Sequence, residues 1–231
     1  MPRDTRTSAP IRLALPAPIP AARSRRARLV ARWFGLVLPD PQQINLAPLQ
    51  PDQLDLLLPR AGEIVLITGP SGAGKSSLLR LLRARECNRH CIDLAGIRPP
   101  NRPLVNCFEK TRLEHVLSLL NRVGLSDAWT YLRTPAELSE GQRWRLRLAM
   151  AIHRATGPSI LMCDEFAALL DRVTAAVVAR ALRRTIDHSS GQLGAVLVTS
   201  HDDLLEALAP DVHVYCDFGT ITMNRRGNLS A

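Results

Sequence analysis

Three short apolar runs punctuate this chain, each lodged between longer amphipathic stretches. They are Ile64-Val65-Leu66-Ile67, Ile160-Leu161-Met162-Cys163 and Ala195-Val196-Leu197-Val198. Runs of this length, partly β-branched and bounded by Gly, Pro or acids, predict strands buried on both faces. Between them the apolar period lengthens. Leu113, Val116, Leu117 and Leu120 predict a helix over 113–123 with Gly124 as its C-terminal cap. Ser139 opens a helix running to about Ala155, with Leu146, Leu148, Ala149 and Ile152 on its apolar faces, and Gly157-Pro158 stops it. A further amphipathic helix covers Val173 to Ile186, and Val212–Cys216 with Thr220–Met223 predicts a closing hairpin around Gly219. Upstream, Leu29 to Leu36 predicts a strand beginning the ordered part, and Leu54 to Leu58 an edge strand. Residues 92 to 107 are expected to be irregular, with Pro99, Pro100 and Pro103 as breakers. Alternating strands and helices predict an α/β fold with a mostly parallel sheet flanked by helices.

Composition changes this picture mainly at the N-terminus. With 231 residues, 46% apolar and 22% charged, the chain is long enough for one sizeable core. No apolar run approaches bilayer length, so a soluble or peripheral protein is expected, cytoplasmic by its cysteine usage. The net charge of +9 comes almost entirely from arginine; Lys75 and Lys110 are the only lysines. Eight arginines up to Arg32 face a single acid, Asp4, among five prolines. Residues 1–28 therefore read as a disordered basic arm that could meet nucleic acid or an acidic partner, ahead of one domain over 29–231. The five cysteines are odd in number, which favours a reducing compartment. Cys87, His90 and Cys91 offer three metal ligands, but no second pair at zinc spacing follows, so no metal is assigned there.

The chemistry enters after the first buried strand. Gly69-Pro70-Ser71-Gly72-Ala73-Gly74-Lys75-Ser76 fits G-x-x-x-x-G-K-[ST] and leads through Ser77 into a helix. Its glycines let consecutive N–H groups converge on an anion, and the helix dipole adds positive potential there. Lys75 would reach β- and γ-phosphates, and Ser76 would hold Mg²⁺. The other two buried strands also end in reactive groups, Asp164-Glu165 and His201. In parallel sheets, ligands bind beyond the carboxyl ends of the strands. One acid would support the metal, its neighbour would orient or deprotonate water, and His201 would donate to the γ-phosphate.

Taken together, these segments resemble the ATP-binding-cassette (ABC) ATPases over about residues 29–217. Leu138-Ser139-Glu140-Gly141-Gln142 is similar to the family signature, Ile160 to Glu165 to its Walker B strand, and Ala168 to Asp171 to its D-loop. The resemblance implies a phosphate-loop NTPase of ABC type, with a small helical subdomain and antiparallel N-terminal β elements. It implies ATP and Mg²⁺ as cofactors and a head-to-tail dimer, with itself or a related ATPase subunit. Ser139, Glu140, Gly141 and Gln142 would then contact the partner's ATP, Asp164 would hold Mg²⁺, Glu165 and His201 would be catalytic, and Asp171 would communicate across the interface. Trp33 or Phe34 would stack on adenine, and Asn106 would stand in for the Q-loop glutamine as a metal ligand. Phe166 occupies a position where the family usually has proline, and Glu140 replaces the signature's first glycine. Only 64 positions separate Lys75 from Ser139, a compressed helical subdomain. The compressed subdomain, the missing Q-loop glutamine and the basic arm favour an ATPase whose dimer closure acts on a protein or nucleic-acid partner without a membrane domain. The alternative is the ATP-binding subunit of a transporter with its permease on a separate chain.

Overall fold

The computed structural model describes residues 11–14, 25–35, 51–86, 89–108, 110–218 and 220–226. In chain order the elements are β1 (Ile11–Ala14), α1 (Arg25–Trp33), α2 (Pro51–Leu57), β2 (Ile64–Thr68), α3 (Lys75–Arg85) and β3 (His90–Asp93). There follow α4 (Leu113–Arg122), α5 (Ala128–Leu132), α6 (Glu140–Arg154), β4 (Ser159–Cys163) and α7 (Arg172–Asp187). The chain closes with β5 (Leu193–Val198), α8 (Leu205–Leu208), β6 (Val212–Asp217) and β7 (Thr220–Arg225). One seven-stranded sheet runs in the order β1-β7-β6-β2-β5-β4-β3. The five strands from β6 to β3 are parallel, and β7 and β1 extend the sheet antiparallel.

The unbroken apolar runs follow from burial on both faces. Ile64 and Leu66 join one apolar cluster with α4, α6 and α7, while Val65 and Ile67 join another with α2, α3 and the closing hairpin. Leu161 and Cys163 divide from Ile160 and Met162 in the same way, as do Ala195 and Leu197 from Val196 and Val198. This is the two-residue period of a strand read on both sides of one sheet. Register sets the strand ends level: Ile67 pairs with Val198, and Leu197 with Cys163. The reactive residues just past β2, β4 and β5 therefore emerge along one edge.

The structure differs from the sequence expectation at three places. Leu29–Leu36 does not form a strand: α1 occupies Arg25–Trp33 and Gly35, at φ +62°, ends it. Leu54–Leu58 lies in and just after α2 rather than in an edge strand. Leu54 and Leu57 are buried while Asp55 and Leu56 between them are exposed, a helical spacing. The arm read as disordered contributes β1, whose Ile11 to Ala14 pair with Met223 to Thr220, and the first turn of α1. Pro39–Pro51, except its last residue, and Gly219 lie outside the described residues, as does Cys87. Within 92–107 the chain is mostly irregular, except that β3 carries the sheet to Asp93.

Candidate functional site

The turn from β2 to α3 wraps a cradle whose shape demands glycine. Gly69, Gly72 and Gly74 hold φ of +134°, +81° and +92°, conformations that L side chains rarely adopt. At Gly69 space is also closed: a Cβ would stand 2.0 Å from the Cys216 carbonyl oxygen on β6. The closing hairpin thus braces the loop from behind, and a 2.8 Å hydrogen bond joins Thr68 Oγ1 to His213 Nε2 beside it. Burial holds the His213 imidazole below its ordinary pKa, so its neutral form makes this bond.

Lys75, the first residue of α3, is buried and donates to the Gly69 and Pro70 carbonyls at 2.7 and 2.8 Å. Two of its three donors thus tie the loop together, and one is left for an anion. Its charge also opposes the upward shift of the Cys216 thiol, which burial pushes to about 11. The loop opens on a cavity of about 380 Å³ lined by Ser71, Gly72, Gly74, Lys75, Ser76 and Ser77. Across it stand Asp164, Glu165 and Ala168 from the β4 end, and Val198, Thr199, Ser200 and His201 from the β5 end.

The fold thus brings together, on one cavity, most of the loop with Asp164, Glu165 and His201. Glu165 follows β4 in a left-handed conformation, φ +52°, and Ala167 has φ +59°. Non-glycine residues in that region cost on the order of 1–3 kcal/mol each, so something must hold them. Phe166 does so. Its N–H donates to the Val198 carbonyl at 2.6 Å, and its fully buried ring meets Trp144 of α6 edge-to-face, centroids 5.4 Å apart. Phe166 is thus an aromatic peg that joins the strand-end acids to α6, the helix before β4. The buried Cys163 thiol beneath them is pushed far up by burial, reinforced by the negative charges of Asp164, Asp93 and Glu165.

Ser139 caps α6 as a reciprocal pair: its Oγ accepts from Gln142 N at 3.2 Å, and Gln142 Oε1 accepts from Ser139 N at 3.0 Å. The N–H groups of Glu140 and Gly141, in the first turn, have no partner within the helix. None of these four residues lines the cavity of their own chain. A Cβ on Gly141 would sit 3.1 Å from the Leu169 carbonyl, so the turn before α7 lies directly on this helix end. Asp171 caps α7, accepting from Thr174 N at 2.9 Å, and these hydrogen bonds hold its carboxyl below the usual range.

Three sequence assignments fall elsewhere. Trp33 and Phe34 lie at the end of α1, 71% and 74% exposed, and neither lines the cavity. Asn106 is exposed in a short 3-10 turn and also lies outside the lining. Sequence reasoning overlooked Thr199 and Ser200, which follow the apolar run Ala195–Val198; two hydroxyls closing that run were the available signal. It also passed over Asp93, which β3 carries to the sheet edge and Arg83 pairs at 2.6 Å.

Comparison with known proteins bears on the family and the fold. The family model described as ABC transporter matches residues 53–168. The methionine import ATP-binding protein MetN of Xylella fastidiosa is 33% identical over 204 residues, covering 74% of this chain and 59% of that protein. MetN of Rhizobium meliloti is 32% identical, covering 71% of this chain and 54% of its own length. The chain therefore spans between half and two thirds of these relatives. Among solved structures, the dimeric ATP-binding cassette MJ0796 bound to ADP and Pi superposes with a TM-score of 0.56 at 20% identity, covering 71% of this chain and 84% of that one. The cbiO1 protein of Clostridium perfringens, part of the transporter complex cbiONQ, gives 0.53 at 16% identity, covering 73% and 79%. At such identities the structures speak for the fold alone, but the family model covers half of the sequence. On that ground this chain belongs to the ABC transporter family.

Proposed function

We propose that this chain binds and hydrolyses ATP as the energy-coupling subunit of an ABC transporter, working at the cytoplasmic face with a permease on a separate chain. The observation that carries the hydrolytic part is the single cavity in which Lys75 and Ser76 face Asp164, Glu165 and His201. Ser71 to Ser77 with Lys75 would cradle the phosphates. A hydroxyl at Ser76 and a carboxylate at Asp164 on one cavity are hard oxygen donors suited to Mg²⁺, with Glu165 left beside them. The metal, bound with the nucleotide, would offset phosphate charge. Glu165 would polarise the attacking water and His201 would donate to the γ-phosphate oxygens.

The residues alone inclined towards a partner-driven ATPase without a membrane domain. That several relatives are named import ATP-binding proteins supports the permease reading instead, and gives nucleic acid no support. A head-to-tail dimer accounts for the signature residues. The first-turn N–H groups of α6 are an anion site that their own chain's cavity does not use.

Phosphate release from Mg²⁺-ATP tests the hydrolytic reading. Lys75→Ala should abolish nucleotide binding, and Glu165→Gln should bind ATP and accumulate as a dimer. Wild-type turnover by Glu165→Gln would show that the assigned base is wrong. Co-purification with a protein of several membrane spans, encoded beside this gene, tests the transporter part.

A further inference from the structure

Helix α1 is built the wrong way round for a helix that serves its own core. Among its described side chains only the small Ala31 is buried, at 5% exposure. The large apolar residues point outward: Leu29 is 43% exposed, Val30 45%, Trp33 71% and, just past the helix, Phe34 74%. At 100° per residue these four fall within a sector of about 140°. Arg25, Arg28 and Arg32 follow one edge of that sector and Arg26 lies within it at the first turn, all exposed. No acid occurs from Arg25 to Phe34, and no described carboxylate pairs with these arginines.

Four adjacent large apolar side chains left in water mark an interaction surface. Nucleic acid would engage the arginines and could stack on Trp33, but it gives Leu29 and Val30 nothing. An anionic lipid surface accounts for both halves. The apolar stripe enters the headgroup–acyl boundary, the aromatic rings sit at the interface, and arginine stems snorkel towards lipid phosphates. We propose that α1 is an interfacial anchor that lays Leu29, Val30, Trp33 and Phe34 into an anionic membrane surface, with Arg25, Arg28 and Arg32 at its headgroups. This is separate from the permease reading. A permease would bring the chain to a membrane through protein contacts, whereas α1 touches lipid itself.

The test is co-sedimentation of the full chain with phosphatidylcholine vesicles, with and without phosphatidylserine. The chain should sediment with the anionic vesicles and stay in solution with the neutral ones. Leu29→Asp/Trp33→Asp should lower partitioning at least about tenfold, since each change removes buried apolar area and adds a charge. Arg25→Gln, Arg28→Gln and Arg32→Gln should each lower it about fivefold. All five positions are exposed, so thermal melting should stay close to wild type and serves as the folding control. Absence of sedimentation with anionic vesicles would overturn the proposal, as would equal sedimentation of the variants. So would α1-dependent binding to duplex DNA tighter than to vesicles. Self-association without lipid that Leu29→Asp/Trp33→Asp abolishes would mean a second copy covers the face.

Discussion

Replacing Phe166 with proline should destabilise this chain. The ring is fully buried, and removing such a ring from a core costs about 3–5 kcal/mol, of which proline's smaller ring recovers part. The edge-to-face contact with Trp144 adds about 0.5–1.5 kcal/mol beyond area. Proline also has no N–H for the Val198 carbonyl, and an orphaned buried acceptor costs about 1–3 kcal/mol. The preceding Glu165, at φ +52°, is a conformation that a following proline does not favour. The sum, about 4–7 kcal/mol, is most of the stability of a marginal domain. At about 2–4 °C per kcal/mol for a chain of this size, Phe166→Pro should melt at least about 8 °C lower. Phe166→Leu keeps the N–H and most of the volume, so it should lose only about 2 kcal/mol. Calorimetry on both variants without nucleotide separates the contributions. A Phe166→Pro chain as stable as wild type would refute the idea that Phe166 holds the strand-end turn.

Other consequences follow from individual groups. Asp171→Ala removes the α7 cap and should cost about 1 kcal/mol, while Asp171→Asn keeps it; if Asp171→Asn also retains full ATPase activity, the carboxylate charge has no role across a dimer interface. His213 and His153 are both held below the ordinary imidazole pKa, first by burial, so unfolding takes up protons. Their contribution is present above the unfolded value near 6.5 and lost as pH falls through it towards their folded values, so the melting temperature should drop between pH 7.5 and 5.5. His213→Asn should flatten that slope, and an unchanged slope would show that other groups cause it. The Cys163 and Cys216 thiols are buried and shifted upward, so iodoacetamide at pH 8 should label them only after denaturation, as mass spectrometry would read. Gly69→Ala should fail to fold or lose nucleotide binding, because the Cys216 carbonyl leaves no room for its methyl.

The sheet and its phosphate edge were legible because their signals are local. β2, β4 and β5 announce themselves as apolar runs closed by Gly69, Asp164 and His201, and the caps at Gly124 and Ser139 lie within four residues of the helices they bound. The failures share a cause. Leu29–Leu36 has strand-like composition, yet it forms a helix that ends at Gly35, and among its described side chains only Ala31 is buried. β1 and β3 are four residues each and exist through pairing with β7 and β4: Ile11 pairs with Met223, 212 positions on, and His90 with Ser159, 69 positions on. Asn106 was assigned from a carboxamide in a plausible interval, and no local pattern reports which turn faces a cavity built by three strands.

The seating of Gly141 against the Leu169 carbonyl bears on how two such chains would keep time. A methyl there would meet that carbonyl at 3.1 Å, closer than an ordinary contact, so the start of α6 and the approach to α7 are tightly seated and a shift of one presses on the other. In a head-to-tail pair, the first would grip the neighbour's nucleotide while the second continues from the chain's own Glu165. Whatever moves at one γ-phosphate is then felt at the other, and turnover should rise more steeply than linearly with ATP, with a Hill coefficient above one.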